Sequence, residues 1–337
     1  MKLARWKTAV GTTFLAMVLS VPAWSAYPDK RSAMPGTLNY VEGQASIGNQ
    51  VLDSKAVGDT ELQAGQTLST QNGKAEILLT PGVYLRLGSN SSVSMVSPSL
   101  TNTELALNQG QAMLEVDEVH SENNIHITQS GANTRVLKTG LYQFDATNYD
   151  VRVFDGKAKV VADDQEVTVK GGHELTLNTE GKLKAHGFDK KEVAERDDLY
   201  RWSSLRSQYL SDANVETARM YVSNGWYGPG WFGPGWYWNP WFGGFTFLPA
   251  DGFFYNPFGW GFYSPLVVQR VAIVRPHGVV GHFDGAKRAP AIGKGFHHHA
   301  VRSFKGGPRV NAMRPSSPMR VPARSSGMRR NPMPPRK

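Results

Sequence analysis

Apolar and polar residues alternate with a period of two through most of residues 38–184. The clearest runs are 83–87, 104–107, 112–116, 125–127, 151–153 and 174–177. Such alternation is typical of a strand with one face on a core and the other in solvent. Turn-forming residues separate the runs. The pattern predicts one all-β module of about a dozen short strands, folded as a sandwich or as a rolled, solenoid-like sheet.

A glycine followed by a polar residue opens many of these runs. Glycine tolerates the positive φ of a tight turn, so each unit predicts a turn that leads into a strand. The spacing between units is irregular, which indicates a turn-and-strand unit that recurs locally and not a strict solenoid repeat. The six units begin at Gly43, Gly65, Gly73, Gly110, Gly156 and Gly172.

The period changes to three and four between residues 188 and 210. Asp189, followed three residues later by Glu192, forms an N-terminal capping box, which predicts the start of a helix. Arg206 falls outside the apolar face of this helix. We expect the aromatic stripe of the helix to pack on the flank of the β module, with a groove for a partner helix as the alternative. The stripe consists of Leu199, Trp202, Leu205 and Tyr209.

Residues 225–263 are dominated by rings, since eighteen of these 39 residues are Trp, Tyr or Phe. Pro-Gly pairs predict a chain of turns that presents the rings. Residues 245–248 and 253–255 are predicted to form a hairpin, and residues 266–274 an isolated strand. Three placements of the rings are open: they fold back over the β module, they sit at a membrane interface, or they stack on sugars or partner proteins. Four candidate binding residues recur every five positions: Trp226, Trp231, Trp236 and Trp241.

The net charge of +9 is unevenly distributed along the chain. Residues 270–337 carry fifteen Lys or Arg and one acidic residue, whereas residues 26–269 carry nineteen basic and 27 acidic residues. From residue 276 the chain is also rich in Gly, Pro and Ser, which predicts disorder. This tail either aids solubility or binds lipid head groups or an anionic envelope polymer, while nucleic acid is not an expected partner. The candidate contacts are Arg314, Arg320, Arg324, Arg329 and Arg330.

Residues 1–25 have the features of a cleaved secretory signal peptide, with a basic start, an apolar stretch and a small-x-small cleavage site. The apolar stretch of roughly 14 residues is shorter than the roughly 20 residues that span a bilayer. We therefore expect a periplasmic or secreted protein, with no transmembrane helix in the mature chain. The chain contains no cysteine, which excludes disulfides, thiolate catalysis and Cys-type zinc sites.

The sequence contains no recognisable catalytic constellation, since it lacks a Walker-type glycine loop and a His-Glu-x-x-His motif. Its acidic pairs fall in turns or on the helix, where solvated charge is the usual explanation. We therefore expect a protein that is not an enzyme and holds no cofactor. His297, His298 and His299 are the metal candidates, but adjacent imidazoles without a fixed geometry bind metals only opportunistically.

Six segments, in this order, resemble the FecR domain. They include Leu62-Gln-Ala-Gly-Gln-Thr-Leu-Ser-Thr70 and Val136-Leu-Lys-Thr-Gly-Leu-Tyr-Gln-Phe144, together with residues 73–79, 85–91, 107–111 and 151–157. The resemblance extends over roughly residues 38–183. The FecR domain is the all-β periplasmic module of iron-dicitrate-type sensor proteins, so the resemblance implies that fold and a protein-docking role in the envelope. The resemblance does not assign a function to any individual residue of this chain.

Founding members of that family have a cytoplasmic anti-sigma segment before one transmembrane helix. Here only seven residues precede the apolar stretch, which argues against direct regulation of a sigma factor. The sequence instead predicts a non-enzymatic envelope binding or scaffold protein with an envelope protein partner. The alternatives are the periplasmic half of a signal-sensing system that acts through a separate membrane protein, and a carbohydrate-binding protein that uses the tryptophans.

The predicted architecture is an all-β, rolled or solenoid-like FecR-like module, followed by one amphipathic helix, an aromatic Gly/Pro-rich segment and a disordered basic tail. The boundaries are 1–25 for the signal peptide, 26–36 for a polar leader, 37–186 for the β module, 188–222 for the helical segment, 225–265 for the aromatic segment and 276–337 for the tail.

Overall fold

A mixed sheet of fifteen strands dominates the computed structural model, which describes residues 32–177, 181–223 and 233–274, all within the unit Met1–Arg288. The all-β prediction is thereby confirmed. The strands are β1 (Leu38–Ile47), β2 (Gln50–Val51), β3 (Thr67–Leu78), β4 (Val83–Leu87), β5 (Ser92–Ser99), β6 (Asn102–Gln109), β7 (Gln111–Val116), β8 (Asn124–Gln129), β9 (Ala132–Val136), β10 (Gly140–Asp145), β11 (Asp150–Asp155), β12 (Lys157–Ala162), β13 (Gln165–Lys170), β14 (His173–Thr176) and β15 (His186–Gly187).

The long strand β3 joins two halves of this sheet. Its residues 67–69 pair with β5, and its residues 75–78 pair with β4. The order then runs β5, β6, β8, β9, β12, β13 on one side and β4, β7, β10, β11, β14, β15 on the other. Inward side chains from both halves, such as Leu85 of β4 and Ile127 of β8, belong to one core. The sheet is therefore rolled over on itself around a single apolar interior.

The glycine units mark turns and close approaches between strands. Five of the six glycines have positive φ, as the sequence predicts: Gly43, Gly65, Gly110, Gly156 and Gly172. Gly73 has a different reason to be glycine, because a Cβ there would meet the backbone of residues 42 and 44 on β1. Gly73 lies opposite Gly43, next to an irregularity in the β1/β3 register. The pair lets two backbones approach where a side chain would separate them.

Strands β4 and β10 are buried on both faces, and β7 is buried at all but its first residue. Two helices, α1 (Lys190–Arg196) and α2 (Asp198–Ser223), follow the sheet. A hairpin of β16 (Gly235–Asn239) and β17 (Gly244–Leu248), a second hairpin of β18 (Phe253–Tyr255) and β19 (Gly261–Tyr263), and α3 (Pro265–Val274) complete the described chain. We call the outward side of β4, β7 and β10, with the end of β3, the covered face. Its residues cluster with Leu199, Leu210, Phe245, Phe247 and Phe262 of the later elements.

The helical segment begins where the sequence predicts, but its buried side is different. The Asp189 carboxylate accepts hydrogen bonds from two backbone N–H groups of α1. On α2, however, Leu205 and Tyr209 are exposed, whereas Arg206 is buried. The predicted packing of the whole apolar stripe is therefore wrong. The reason is that the covered face offers buried carboxylates as well as apolar groups, so polar residues of α2 serve as its contact side.

The aromatic segment packs on the sheet, which is the first of the three alternatives for the rings within residues 233–263. The predicted hairpin between 245–248 and 253–255 is wrong, because β17 pairs with β16 and β18 pairs with β19. Residues 265–274 form the helix α3 instead of the predicted strand. The predicted loop at 249–252 is no longer than the observed loops at 240–243 and 256–260, so loop length does not decide between the pairings. The observed pairing buries Phe245, Phe247 and Phe262 against the covered face.

Candidate functional site: an aromatic cleft beside a buried charge network

A network of buried charges joins α2 to the covered face. Glu76 of β3 is fully buried and accepts hydrogen bonds from Arg86 Nε at 2.7 Å and Arg206 Nη2 at 3.0 Å. The amide of Asn39 donates a further bond to Glu76 at 2.9 Å. The buried carboxylate is thus fully partnered, which is the condition under which buried charge is tolerated.

A second carboxylate joins the aromatic segment to the same network. Glu115 of β7 forms an ion pair with Arg86 Nη1 and accepts hydrogen bonds from Ser207 Oγ at 2.7 Å and Asn256 Nδ2 at 2.6 Å. Asn256 also bonds Ser207 directly. Arg86, Ser207 and Asn256 come from the sheet, α2 and the β18–β19 loop, so one carboxylate holds three separate stretches of chain together.

The pKa values follow from this arrangement. Burial alone would raise the pKa of Glu76, but attraction to Arg206 and Arg86 outweighs burial and lowers the pKa to about 2. Asp117, two residues after Glu115, behaves in the opposite way. Burial raises the pKa of the Asp117 carboxyl well above its usual value, and repulsion from Glu115 adds to the rise. When it is protonated, Asp117 can donate a hydrogen bond to Glu115, which an ionised carboxylate cannot do.

The network also positions Arg206 at the base of a surface cleft. The guanidinium carbon of Arg206 lies 3.9 Å from the centroid of the Tyr40 ring and 5.2 Å from that of Phe242. Tyr40 belongs to β1, and Phe242 lies in the β16–β17 loop, where its backbone N–H donates to Asn239 Oδ1. The bond of Arg206 to Glu76 holds the guanidinium in place, so the three elements meet around one buried cation.

The cleft has a volume of about 230 Å³. Four of its nine lining residues are aromatic, and it opens toward the exposed side of α2. Leu205 and Tyr209 on that side are 47% and 50% exposed, and Trp241, next to Phe242 in the chain, is 88% exposed. We call it the aromatic cleft. It is lined by Asn39, Tyr40, Glu42, Trp202, Leu205, Arg206, Tyr209, Phe242 and Gly243.

Glu42 is a solvent-accessible negative charge in the lining of the aromatic cleft. Its side chain is 41% exposed, and Lys74 Nζ, its ion-pair partner among the described residues, is 4.0 Å away. Lys74 makes a closer ion pair with Asp198 of α2 at 2.9 Å and lies 5.9 Å from the centroid of Trp202. Tyr40 donates its hydroxyl to Glu42 at 3.3 Å. Desolvation first, and then the negative charge of Glu42, raise the pKa of Tyr40, so its phenol remains protonated.

The structure separates the predicted binding tryptophans. Trp236 is partly buried against Tyr84, with ring centroids 4.9 Å apart, and Trp241 is exposed. They are therefore not equivalent, although both follow the five-residue repeat. Trp226 and Trp231 lie outside the described residues, as do the five candidate arginines at 314, 320, 324, 329 and 330, the histidines at 297–299 and the predicted signal peptide.

The sequence singled out Trp202, Leu205 and Tyr209 as one face of the helix, and these three side chains line the cleft. It did not indicate Tyr40, Glu42 and Phe242 as their neighbours, or the buried network. One signal was available, because several outward positions of the strands carry large apolar side chains where an exposed strand has polar ones. These positions are Tyr84, Met113, Leu141 and Phe154. They indicate a face that another part of the chain covers. No such signal marks Glu76 or Arg86, because charged residues at outward positions are typical of solvent-exposed strands.

Within the described ranges there is no group of three or more His, Cys, Asp or Glu side chains arranged to hold a metal ion. None of the helices in these ranges is both long and apolar enough to cross a bilayer.

Residues 66–159 match the model of the family described as FecR protein. The resemblance predicted from the sequence is thus confirmed over a narrower stretch than residues 38–183. The match runs from β3 to the first half of β12 and includes Glu76, Arg86 and Glu115, whereas α2 and the two hairpins lie beyond it. The covered face therefore belongs to the matched region, and its cover does not.

Two crystal structures of a "putative anti-sigma factor" from Parabacteroides distasonis ATCC 8503, at 2.50 and 1.65 Å resolution, are similar to the chain. Each has 16% sequence identity and a TM-score of 0.34, and the similarity covers 38% of this chain. The chain spans 62% of the length of these neighbours. The comparison with curated proteins finds no match.

Proposed function

We propose that this chain is a non-enzymatic binding protein of the cell envelope whose aromatic cleft docks a protein partner. The cleft itself carries the proposal. The later elements cover β4, β7 and β10, yet beside that cover Leu205, Tyr209 and Trp241 remain exposed. Aromatic side chains at a rigid, partly buried site are the residues that contribute most to protein interfaces. The buried network supplies the rigidity.

The FecR match suggests a signal-sensing regulatory role. In the same proposal, partner binding at the cleft is the input to such a system, and a separate membrane protein carries the signal across the membrane.

Photo-crosslinking in cells tests the docking site. A photoreactive amino acid replaces Tyr209, and the matched control carries it at Val161 on β12, which is 41% exposed on the other half of the sheet. We expect a discrete crosslinked protein from position 209 and none from position 161. Equal crosslinking from both positions, or none from position 209, would contradict a docking role for the cleft.

The basic tail is the second part of the proposal. Residues 276–337 attach the protein to an anionic envelope polymer or to lipid head groups, and this proposal rests on their charge alone. Cell fractionation with a salt wash compares the full chain with a form that ends at Pro276. Salt-released envelope binding that disappears on truncation is the expected result. Free periplasmic protein in both forms would reduce the tail to a solubilising extension.

Carbohydrate binding is a second candidate function, and the exposure of Trp241 favours it. Asn239 Oδ1 accepts hydrogen bonds from the backbone N–H groups of Trp241 and Phe242, so the turn that carries the exposed ring is fixed. An exposed indole on a fixed turn is a suitable platform for a sugar ring. Glycan-dependent quenching of tryptophan fluorescence that is lost in Trp241→Ala would support this function over the protein-docking one.

A further inference from the structure

The size of the aromatic cleft limits what can enter it. Whole small-molecule ligands occupy pockets of about 300–1,000 Å³, whereas this cleft measures about 230 Å³. The cleft therefore fits one side chain or one ring. For a docked protein partner, that means a single anchoring residue.

The hydrogen-bonding groups of the cleft select for a donor. The amide of Asn39 donates to Glu76 and to the carbonyl of Phe245, so its donors are used within the protein. Arg206 Nη2 donates to Glu76, and the Tyr40 hydroxyl donates to Glu42. Arg206 Nε has no hydrogen-bond partner among the described residues, but it is buried away from the opening of the cleft. A carboxylate has about four acceptor sites, and the Glu42 side chain is 41% exposed. The cleft thus presents acceptors to a ligand.

The charges around the cleft leave Glu42 as the group that a ligand can neutralise. Arg206 and Arg86 are balanced by Glu76 and Glu115 in the buried network. On the rim, Lys74 pairs closely with Asp198, at 2.9 Å, and Arg201 also lies beside Asp198, at 3.6 Å. Among the residues that the structure describes, the ion pair of Glu42 is the distant contact of 4.0 Å with Lys74. Its charge is therefore the least compensated among those at the cleft.

The aromatic walls select for a cation in the same way. The faces of aromatic rings carry negative potential and attract guanidinium and ammonium groups. The cleft already contains one such contact, since Arg206 stacks on Tyr40 at 3.9 Å. Trp202, Tyr209 and Phe242 line the remaining space. Indole, phenol and phenyl rings beside one carboxylate form a suitable pocket for a cationic side chain.

We propose that the aromatic cleft binds an arginine side chain of the protein partner, with its guanidinium at Glu42 and its stem against the rings. Arginine is favoured over lysine because its planar group both stacks on rings and pairs with a carboxylate through two hydrogen bonds. This inference rests on the proposed docking function and names the residue that the cleft recognises.

Peptide titrations of the full chain test the inference. The probes are the blocked tripeptide Gly-Arg-Gly and its counterpart with citrulline, which has nearly the same shape without the charge. Binding is followed by NMR of ¹⁵N-indole tryptophan, with the Trp202 signal assigned from Trp202→Phe. We expect the arginine peptide to shift the Trp202 signal and to bind about tenfold more tightly than the citrulline peptide, which corresponds to about 1.4 kcal/mol.

Two variants separate the role of Glu42 from general charge. Glu42→Gln is expected to remove the preference for arginine and to leave citrulline binding unchanged. The matched control Glu166→Gln, on β13 with a side chain that is 57% exposed, is expected to keep the preference. Both sites are partly exposed, and thermal unfolding checks that both variants fold. Equal binding of the two peptides by the parent chain, or an unchanged preference in Glu42→Gln, would overturn the inference.

The outcomes distinguish this inference from the docking function. A partner crosslinked from position 209, together with no preference for arginine, would refute the cationic anchor and leave docking intact. A preference for arginine without any crosslinked partner would refute the docking function while the cation selectivity of the cleft stands. Tighter binding of the corresponding lysine peptide than of the arginine peptide would refute the choice of arginine.

Discussion

In the half of the sheet that contains β8 and β12, buried and accessible residues alternate along each strand. In the other half, every residue of β4 and of β10 is buried. Both halves share one interior, so the difference lies in their outward faces. The face of β8 and β12 presents residues such as His126 and Lys159 to solvent, whereas the other face is covered by α2 and the hairpins.

The comparison teaches that a charged residue on a strand has two different meanings. On β12, Lys159 pairs with Glu166 at the surface, where an ion pair contributes about 0–1 kcal/mol. On β4, Arg86 pairs with Glu76 and Glu115 in the buried network. There the pairs fix which parts of the chain lie together, because a displaced partner would leave a buried charge uncompensated.

Removal of one buried charge should give the largest difference in stability between the two halves of the sheet. Arg86→Met keeps most of the side-chain volume but leaves Glu76 and Glu115 without their shared partner. Breaking a buried pair costs about 3–5 kcal/mol in the free energy of unfolding, to be measured by urea denaturation. Arg135→Met on β9 is the matched control, since Arg135 is exposed and donates to Asn124 Oδ1. We expect a change within about 0.5 kcal/mol for the control. Equal losses in the two variants would show that the covered face has no special role.

Protonation of Glu76 on the covered face should destabilise the protein in acid. The folded-state pKa of Glu76 is about 2, below its ordinary 4.5, so its contribution to stability is present above pH 4.5 and is lost as the pH falls toward 2. This loss is on the order of 3 kcal/mol. Asp117 acts in the opposite direction, because its raised pKa makes its contribution favourable at low pH and lost as the pH rises through that value.

The free energy of unfolding measured from pH 7 to pH 2 checks this expectation. Glu76→Gln should flatten the acid limb of the curve, and Glu166→Gln on the open half should leave it unchanged. An acid limb that is the same in Glu76→Gln and in the parent chain would contradict the assignment.

The smallest expected effect is a local loosening of the aromatic segment from the sheet. Asn256→Ala removes the amide that donates to Glu115 and the acceptor for the backbone N–H of Trp260. Loss of buried hydrogen bonds costs about 1–3 kcal/mol, and hydrogen exchange should then increase in β18 and β19 more than in β8. Asn108→Ala is the control, since Asn108 is exposed and bonds Ser94 Oγ. Uniform acceleration in both hairpin and sheet would argue against local anchoring.

Local chemistry made part of the structure predictable from the sequence. The strands follow from the period-two pattern, the turns at Gly110 and Gly156 from glycine, and the start of α1 from the Asp189 cap. These features depend on residues within a few positions of each other. Local patterns also explain the wrong predictions for the hairpins and α3. Several short apolar runs could pair locally, and the sequence pattern did not favour one pairing over another.

The sequence alone therefore determined which residues form the sheet and which of its faces each side chain occupies. Only the tertiary structure decided which outward face is covered, which side of α2 is buried and where the aromatic cleft lies. Asn39, for example, bonds the backbone of Phe245, which is 206 positions away. Contacts between residues so far apart depend on the complementarity of two surfaces that form only on folding. The hydrophobic period of either segment does not reveal this complementarity.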